Sequence, residues 1–179
     1  MTNFAQAFLL LPSYSLYRRY DEICVLLSQK YLALALKILK WHCNYKFQVL
    51  SCISGVDAVI SGVYRYVVVY DLLSVCKSVR VRLKTFLKDG DSCISAVASF
   101  PTAGWWEREV WDMFGIFFAS HPDLRRLLTD YGFDSHPMRK DFPLSGFFEI
   151  RYSDKLKRIN VEKINLAQEY RKFSYKMPW

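Results

Sequence analysis

The chain has no run approaching the ~18 consecutive apolar residues of a membrane-spanning helix. Its longest candidates are broken by charge, as Arg65 breaks the stretch from Val63 to Tyr70. It has no C-x-x-C pair; its five cysteines, Cys24, Cys43, Cys52, Cys76 and Cys93, are scattered among apolar residues. Iron–sulfur clusters take grouped thiolates, so buried, reduced thiols are expected instead. It has neither a G-x-G-x-x-G nor a G-x-x-x-x-G-K-[ST] loop, which leaves nucleotide binding by the standard phosphate cradles unsupported. The opening Met1 to Pro12 has no basic start and only a short apolar stretch. It reads neither as a secretory signal nor as an arginine-rich import peptide. The expectation is a protein made where it works, or a cytoplasmic one.

What is present is apolar and basic. Of 179 residues, 52% are hydrophobic and 17% aromatic, which excludes general disorder and is enough for one cored domain with length to spare. A formal charge of +8 asks for an acidic partner: nucleic acid, anionic lipid or an acidic protein surface.

Asp21 to Ser28 reads as a short buried strand, after which Ser28 caps a helix from about Gln29 to His42 with Leu32, Ala35, Leu36 and Leu39 on one face. Phe47 to Ile53 reads as a strand closed by Gly55, and Tyr64 to Tyr70 as a second, β-branched and aromatic one. In the next, Val79, Val81 and Leu83 alternate with Arg80, Arg82 and Lys84, so one face meets the core and the other solvent. Lys88 to Asp91 is a turn, and Ile94 to Ala98 a further short strand. Pro101 opens a helix that ends before Gly115. Runs of adjacent strands with irregularly placed helices predict an α+β fold, a two-layer sandwich of helices on a mixed β-sheet. That domain is expected to cover residues 1–118. Residues 119–179, with a short helical piece at Asp123 to Leu128 and then Pro137, Pro143, Gly146 and Pro178, read as an extended C-terminal segment. A tail so rich in Phe, Tyr and Trp is expected to wrap a partner.

Several sets of residues could carry chemistry or contacts. Glu107, Arg108, Glu109 and Asp112 share the helix after Pro101, but Glu107 and Glu109 point about 200° apart, so they form no close dyad. The plainer reading is that these acids favour the helix N-terminal dipole and pair with cations elsewhere. His121 and His136 each precede a proline, without acidic or thiol ligands at metal spacing, and read as hydrogen-bonded turn histidines. Arg80, Arg82 and Lys84 could track a nucleic-acid backbone, or simply form the solvated side of a strand. Arg125, Arg126, Arg139 and Lys140, among prolines and aromatics, suit buried or interface carboxylates. Trp105, Trp106, Trp111 and Phe114 place aromatics nearly all round the same helix, which implies cover on more than one side.

One block is more specific than any single motif. Trp106-Glu107-Arg108-Glu109, Asp112-Met113-Phe114-Gly115, His121-Pro122 with Leu124-Arg125-Arg126, Thr129 to Phe133, and Arg139-Lys140-Asp141-Phe142-Pro143-Leu144 follow in order. In that order and spacing the chain resembles the 30 kDa subunit family of respiratory complex I. The likeness is strong from about Phe100 onward and rests earlier on Ile53 to Asp57. One departure is Ser135, where the family has Gly before His-Pro, so the resemblance does not fix that turn's backbone. The resemblance implies an α/β domain with an extended tail packed on the large quinone-site subunit of the peripheral arm. It implies no cofactor on this chain, with flavin and iron–sulfur clusters on other subunits, no nucleic acid, and membrane contact only through the complex. It further implies the matrix side of the mitochondrial inner membrane, and the absent presequence with the Phe-, Leu- and Tyr-rich composition fits a mitochondrially encoded copy. The interface residues it points to are Trp106, Glu107, Arg108, Glu109, Asp112, His121, Arg125, Arg126, His136, Arg139, Lys140 and Asp141.

Overall fold

The computed structural model describes residues 13–19, 22–44, 46–60, 63–168, 170–171 and 173–174. It divides into two compact units, residues 1–140 and 141–179.

The first unit holds a five-stranded sheet of β1 (Ser13–Arg19), β2 (Glu22–Leu27), β3 (Val49–Ile60), β4 (Tyr64–Ser74) and β5 (Val79–Leu87), in the order β1-β2-β5-β4-β3. All neighbours are antiparallel except β2 and β5, so the sheet is mixed. The period of two predicted for β5 holds: Val81, Leu83 and Leu87 are buried while Arg80, Arg82 and Lys84 face outward. Cross-strand pairing sets Leu83 against Tyr70 and Val81 against Leu72, which gives one continuous apolar face.

Two helices cover that face. α1 (Leu32–Trp41) buries Leu32, Ala35, Leu36 and Leu39, the stripe read from the sequence. Its start differs from expectation. A single 3-10 turn at Gln29–Tyr31 leads in, and Ser28 contributes its carbonyl to Tyr31 N rather than a side-chain cap. α2 (Ala103–Phe114) ends where Gly115 takes φ +72°, a left-handed cap that glycine adopts without strain.

Gly55 does not end a strand. β3 continues through it, and a Cβ there would meet Phe114 Cδ2 at 2.7 Å and Val110 Cγ1 at 3.2 Å. The missing side chain is what lets α2 press onto the sheet. After β6 (Cys93–Ile94), residues 95–99 form turns instead of the longer strand predicted, and β6 pairs in parallel with β7 (Phe118–Ala119).

The compact unit extends beyond the expected limit at 118, through Lys140. Residues 121–140 form no helix at Asp123 to Leu128; they follow an irregular path along α2, held by its side chains.

The second unit contains a hairpin the sequence reading does not anticipate: β8 (Phe148–Ser153) pairs antiparallel with β9 (Arg158–Lys163). Ile164 N donates to Phe147 O at 3.1 Å, and Phe142 meets Phe147 edge to face at 5.3 Å.

Candidate functional site

The expected charged cluster is real, and most of it acts within the chain. Asp112 lies near the C-terminal end of α2, where the helix dipole disfavours an anion, yet its side chain is fully buried. Five donors compensate. Oδ2 accepts from the backbone N–H groups of Leu127, Leu128 and Thr129 at 3.2, 2.7 and 2.8 Å. Oδ1 accepts from the Thr129 hydroxyl at 2.7 Å and Arg126 Nη1 at 3.2 Å. Burial alone would raise this carboxyl's pKa, but the hydroxyl and the three amides outweigh it and hold the pKa below the usual aspartate value. The amides of residues 127–129 are thus satisfied by a carboxylate, which is why no helix forms there.

Glu107, five residues earlier and about 140° round the helix, looks into the core. Its Oε2 accepts from Ser95 Oγ at 2.7 Å and its Oε1 from Ala96 N at 2.6 Å. His121 Nε2 stands 3.8 Å from Oε2 and 3.2 Å from the Gly104 carbonyl oxygen. Because Asp123 N donates to Nδ1 at 3.1 Å, the neutral ring carries its proton on Nε2 and donates it to Gly104. Burial pushes the Glu107 carboxyl up, against the opposing pull of the Ser95 hydroxyl and the Ala96 amide. Neither acid lies in the first turn of α2, so the dipole reading is replaced by two separate backbone captures.

The last carbonyls of α2 are taken by the same returning segment. His136 Nδ1 bonds the Asp112 carbonyl oxygen at 2.9 Å, Met138 N donates to Met113 O at 3.1 Å, and Arg139 Nε donates to Phe114 O at 2.6 Å. Burial depresses the pKa of His136, keeping the ring neutral against Trp111 at 5.5 Å. Arg108 reaches across to the carbonyls of Arg125 and Arg126, at 3.1 and 3.3 Å. Arg126 also donates to the carbonyl of Ser135 at 2.7 Å. Ser135 itself keeps an ordinary negative φ, so the departure from glycine is accommodated.

The expected interface set therefore divides. Glu107 and Asp112 are buried in this unit, their carboxylates bonded to its own amides and hydroxyls. Arg108, His121, Arg126, His136 and Arg139 bond the chain's own backbone. Trp106 packs on the core and Glu109 is half-buried. Arg125 is exposed beside Asp123 at 3.0 Å, and Lys140 and Asp141 are exposed. Sequence reading missed Asp57, a buried carboxylate that accepts from Lys140 N at 2.8 Å and pairs with Arg65 at 3.4 Å. It also missed Thr129 and Ser95. No local signal marks any of them, because their partners lie far away in the chain.

The basic strand is also largely matched. Arg82 grips Asp71 at 2.7 Å and Glu22 at 3.1 Å, and Lys84 donates to Tyr17 OH at 3.0 Å. Two of three candidate nucleic-acid contacts are already engaged with partners. A concavity of about 530 Å³ beside Glu22, Leu73 and Arg80 is not lined by any α2 carboxylate.

Fold and site together define a class: a two-layer α+β protein whose signature charges fasten a long irregular return segment to one helix. Solved structures share that fold. One is a chain of the membrane-bound sulfane sulfur reductase, an archaeal respiratory membrane complex (TM-score 0.68, 23% identity, 80% of this chain and 85% of that one). Another is the trypsin-resistant fragment (1–134) of Nqo5 (TM-score 0.56, 24% identity, 69% and 97%). The family described as respiratory-chain NADH dehydrogenase, 30 Kd subunit, matches residues 25–148. The chain is 53% identical over 149 residues to NADH dehydrogenase (ubiquinone) iron-sulfur protein 3 of Oryza sativa subsp. japonica, covering 83% of this chain and 78% of that protein. It is 50% identical over 144 residues to NADH-ubiquinone oxidoreductase subunit 9 of Reclinomonas americana, covering 80% and 70%. The chain belongs to the 30 kDa subunit family of respiratory-chain NADH dehydrogenase.

The rice relative's name raises the fit of an iron–sulfur cluster. Among the described residues no three His, Cys, Asp or Glu side chains converge on a metal position. Cys24 and Cys93 are buried, Cys52 half-buried, and Cys43 and Cys76 exposed, each on a different piece of the fold; the expectation that all five are buried fails for the last two. Burial pushes the Cys93 thiol up to about 12, against the lowering pull of the Tyr70 hydroxyl 3.4 Å away, which is the opposite of a ligand thiolate. The donor set does not fit a cluster. No helix among the described residues is long and apolar enough to cross a membrane.

Proposed function

We propose that this chain is a non-catalytic structural and assembly subunit of the peripheral, matrix-side arm of respiratory complex I, in contact with the large quinone-site subunit. The observation that carries the reading is where the family's signature charges go. Glu107 and Asp112 are buried and bonded to the chain's own amides, while large apolar side chains such as Trp105, Tyr131, Leu144 and Phe148 stand exposed. Such residues build a platform: the buried acids hold the chain's own backbone and the exposed apolar side chains face outward. Electron transfer from NADH to ubiquinone coupled to proton pumping belongs to the assembly, with flavin and iron–sulfur clusters on its other subunits. The scattered thiols and the absence of a converging donor set among the described residues support a cofactor-free chain. The relatives' mitochondrial oxidoreductase names support a place at the inner membrane, reached through the complex.

The test is a native gel of organelle extract probed for this chain and for NADH dehydrogenase activity. One band carrying both is expected, and the purified chain should contain no stoichiometric iron. A stable monomer in native extract, away from that activity, overturns the reading.

A further inference from the structure

β2 and β5 are the parallel pair of the sheet, and both strands run out at the same end, with Leu27 beside Thr85. Each then enters a tied turn. After β2, Tyr31 N donates to Ser28 O at 3.0 Å. After β5, Asp91 N donates to Lys88 O at 3.2 Å and Lys88 N donates to Asp91 Oδ2 at 3.1 Å. Both turns contribute to the lining of a concavity of about 400 Å³. It sits outside the carboxyl ends of parallel strands, the place where such sheets receive ligands. Its volume falls within the ~300–1,000 Å³ of small-molecule sites. Part of its lining is aromatic: Tyr64 and Phe86 stand 5.8 Å apart with ring planes inclined at 43°, and Tyr64 keeps 38% of its surface exposed. Lys30 and Lys88 line it too, one from each turn, and among the described residues neither ammonium meets a carboxylate. Asp91 is the one acid of the lining; Oδ2 is held by the Lys88 amide, while Oδ1 has no partner among the described residues. The larger hollow beside Glu22 and Arg80 has no ring in its lining.

Three kinds of group therefore share one hollow. An aromatic wall takes a planar ring by stacking, and every base has a face to offer. Two unpaired ammonium groups take an anion through charge-assisted bonds. A carboxylate oxygen left free beside them takes a hydroxyl donor. Base, phosphate and ribose supply these three in one molecule. We propose that the hollow binds a nucleoside monophosphate, its base on the Tyr64–Phe86 wall, its phosphate at Lys30 and Lys88, and a ribose hydroxyl at Asp91. The tied turns hold Lys30, Lys88 and Asp91 near their places before the ligand arrives, which lowers the ordering cost of binding. No glycine-rich loop takes part, so the sequence carries none of the standard nucleotide motifs. The hollow lies wholly within the first unit, and the proposal stands apart from the subunit reading.

The test is calorimetric titration of the purified full chain with AMP, and separately with adenosine, inorganic phosphate and phenyl phosphate. AMP should saturate one site with a Kd below about 1 mM, at least about tenfold tighter than each of the other three. Tyr64→Ala should weaken AMP by about tenfold or more. Lys30→Ala combined with Lys88→Ala should weaken it by about fivefold or more and leave adenosine unchanged. Lys37→Ala, at an exposed lysine of α1 outside the hollow, should leave AMP binding as it is. Because Lys30 and Lys88 are exposed, their double variant keeps the test decisive should Tyr64→Ala lower the thermal midpoint. No saturable binding of AMP up to about 1 mM overturns the proposal. So does phosphate or adenosine binding as tightly as AMP, since half of the hollow would then be idle. Phenyl phosphate equal to AMP overturns it by removing the ribose contact, and an equal loss in Lys37→Ala overturns it in favour of a generally basic surface.

Discussion

Asp112→Asn is the substitution that most directly probes how the return segment is held. The native carboxylate accepts three backbone N–H groups on one oxygen and a hydroxyl and a guanidinium on the other. Bonds to a charged acceptor contribute about 1.5–3 kcal/mol each and neutral ones about 0.5–1.5 kcal/mol. An asparagine can turn its oxygen to the three amides, which weakens each by about 1 kcal/mol. Its NH₂ then faces Arg126, a donor against a donor; since Arg126 is partly exposed and also holds Ser135, that loss adds little. The expected cost is about 3 kcal/mol, or roughly 6–12 °C in thermal midpoint for a chain of this size. Trypsin should then cut after Arg125 and Arg126, whose carbonyls Arg108 otherwise holds. The pH dependence has a definite sign. A depressed folded pKa means the stabilisation is complete above the ordinary aspartate value of 3.8 and is lost as pH falls through the lower folded value. Asp112→Asn should flatten that acid limb. An unchanged midpoint together with unchanged cleavage at Arg125 and Arg126 would refute the capture as the organising contact.

Gly115→Ala should cost about 2–4 kcal/mol, because the left-handed φ of +72° is joined by a Cβ contact of 2.6 Å with the His136 ring; chemical denaturation reads it. Gly55→Ala should cost about 1–3 kcal/mol through Phe114 at 2.7 Å, and Phe114→Leu on that background should recover part of it. Glu107→Gln should be mild, below about 1 kcal/mol, since the amide oxygen still accepts from Ala96 N and its NH₂ can donate to Ser95 Oγ. Because the Glu107 carboxyl is raised in the fold, the wild type should gain stability as pH falls from that raised value toward 4.5, and Glu107→Gln should lack the gain in urea titrations across that window.

The parts of this fold legible in the sequence are those fixed by near neighbours. The alternation of Val79 to Lys84 gives β5, the Leu stripe gives α1, and Pro101 with Gly115 brackets α2, because period and capping act within a few residues. Glycine at 55 misleads because its role is set by Phe114, far along the chain. The likeness of the block from Trp106 to Leu144 identified the family, yet the block gave no sign that its acids bind amides. Leu127, Leu128 and Thr129 carry no mark of a carboxylate's presence, and a partner interface is the natural inference for charges without local partners. The hairpin was legible only in part. Phe148, Ile150 and Tyr152 alternate with Glu149 and Arg151 in the same period of two that marks β5, but no Asn-Gly or Asp-Gly turn announces the connection to β9.

The way Asp112 holds residues 127–129 has a consequence for how this stretch can vary. The contacts that fix it are made to backbone N–H groups, and only Thr129 adds a side chain. Side-chain identity at 127 and 128 is therefore open as far as this grip is concerned, whereas chain length between Asp112 and Thr129 is not. Removing one residue would shift every amide past the carboxylate and misalign the carbonyls that Arg108 grasps, and with them the positions from which His136 and Arg139 close the helix. The segment is ruled by spacing more than by spelling.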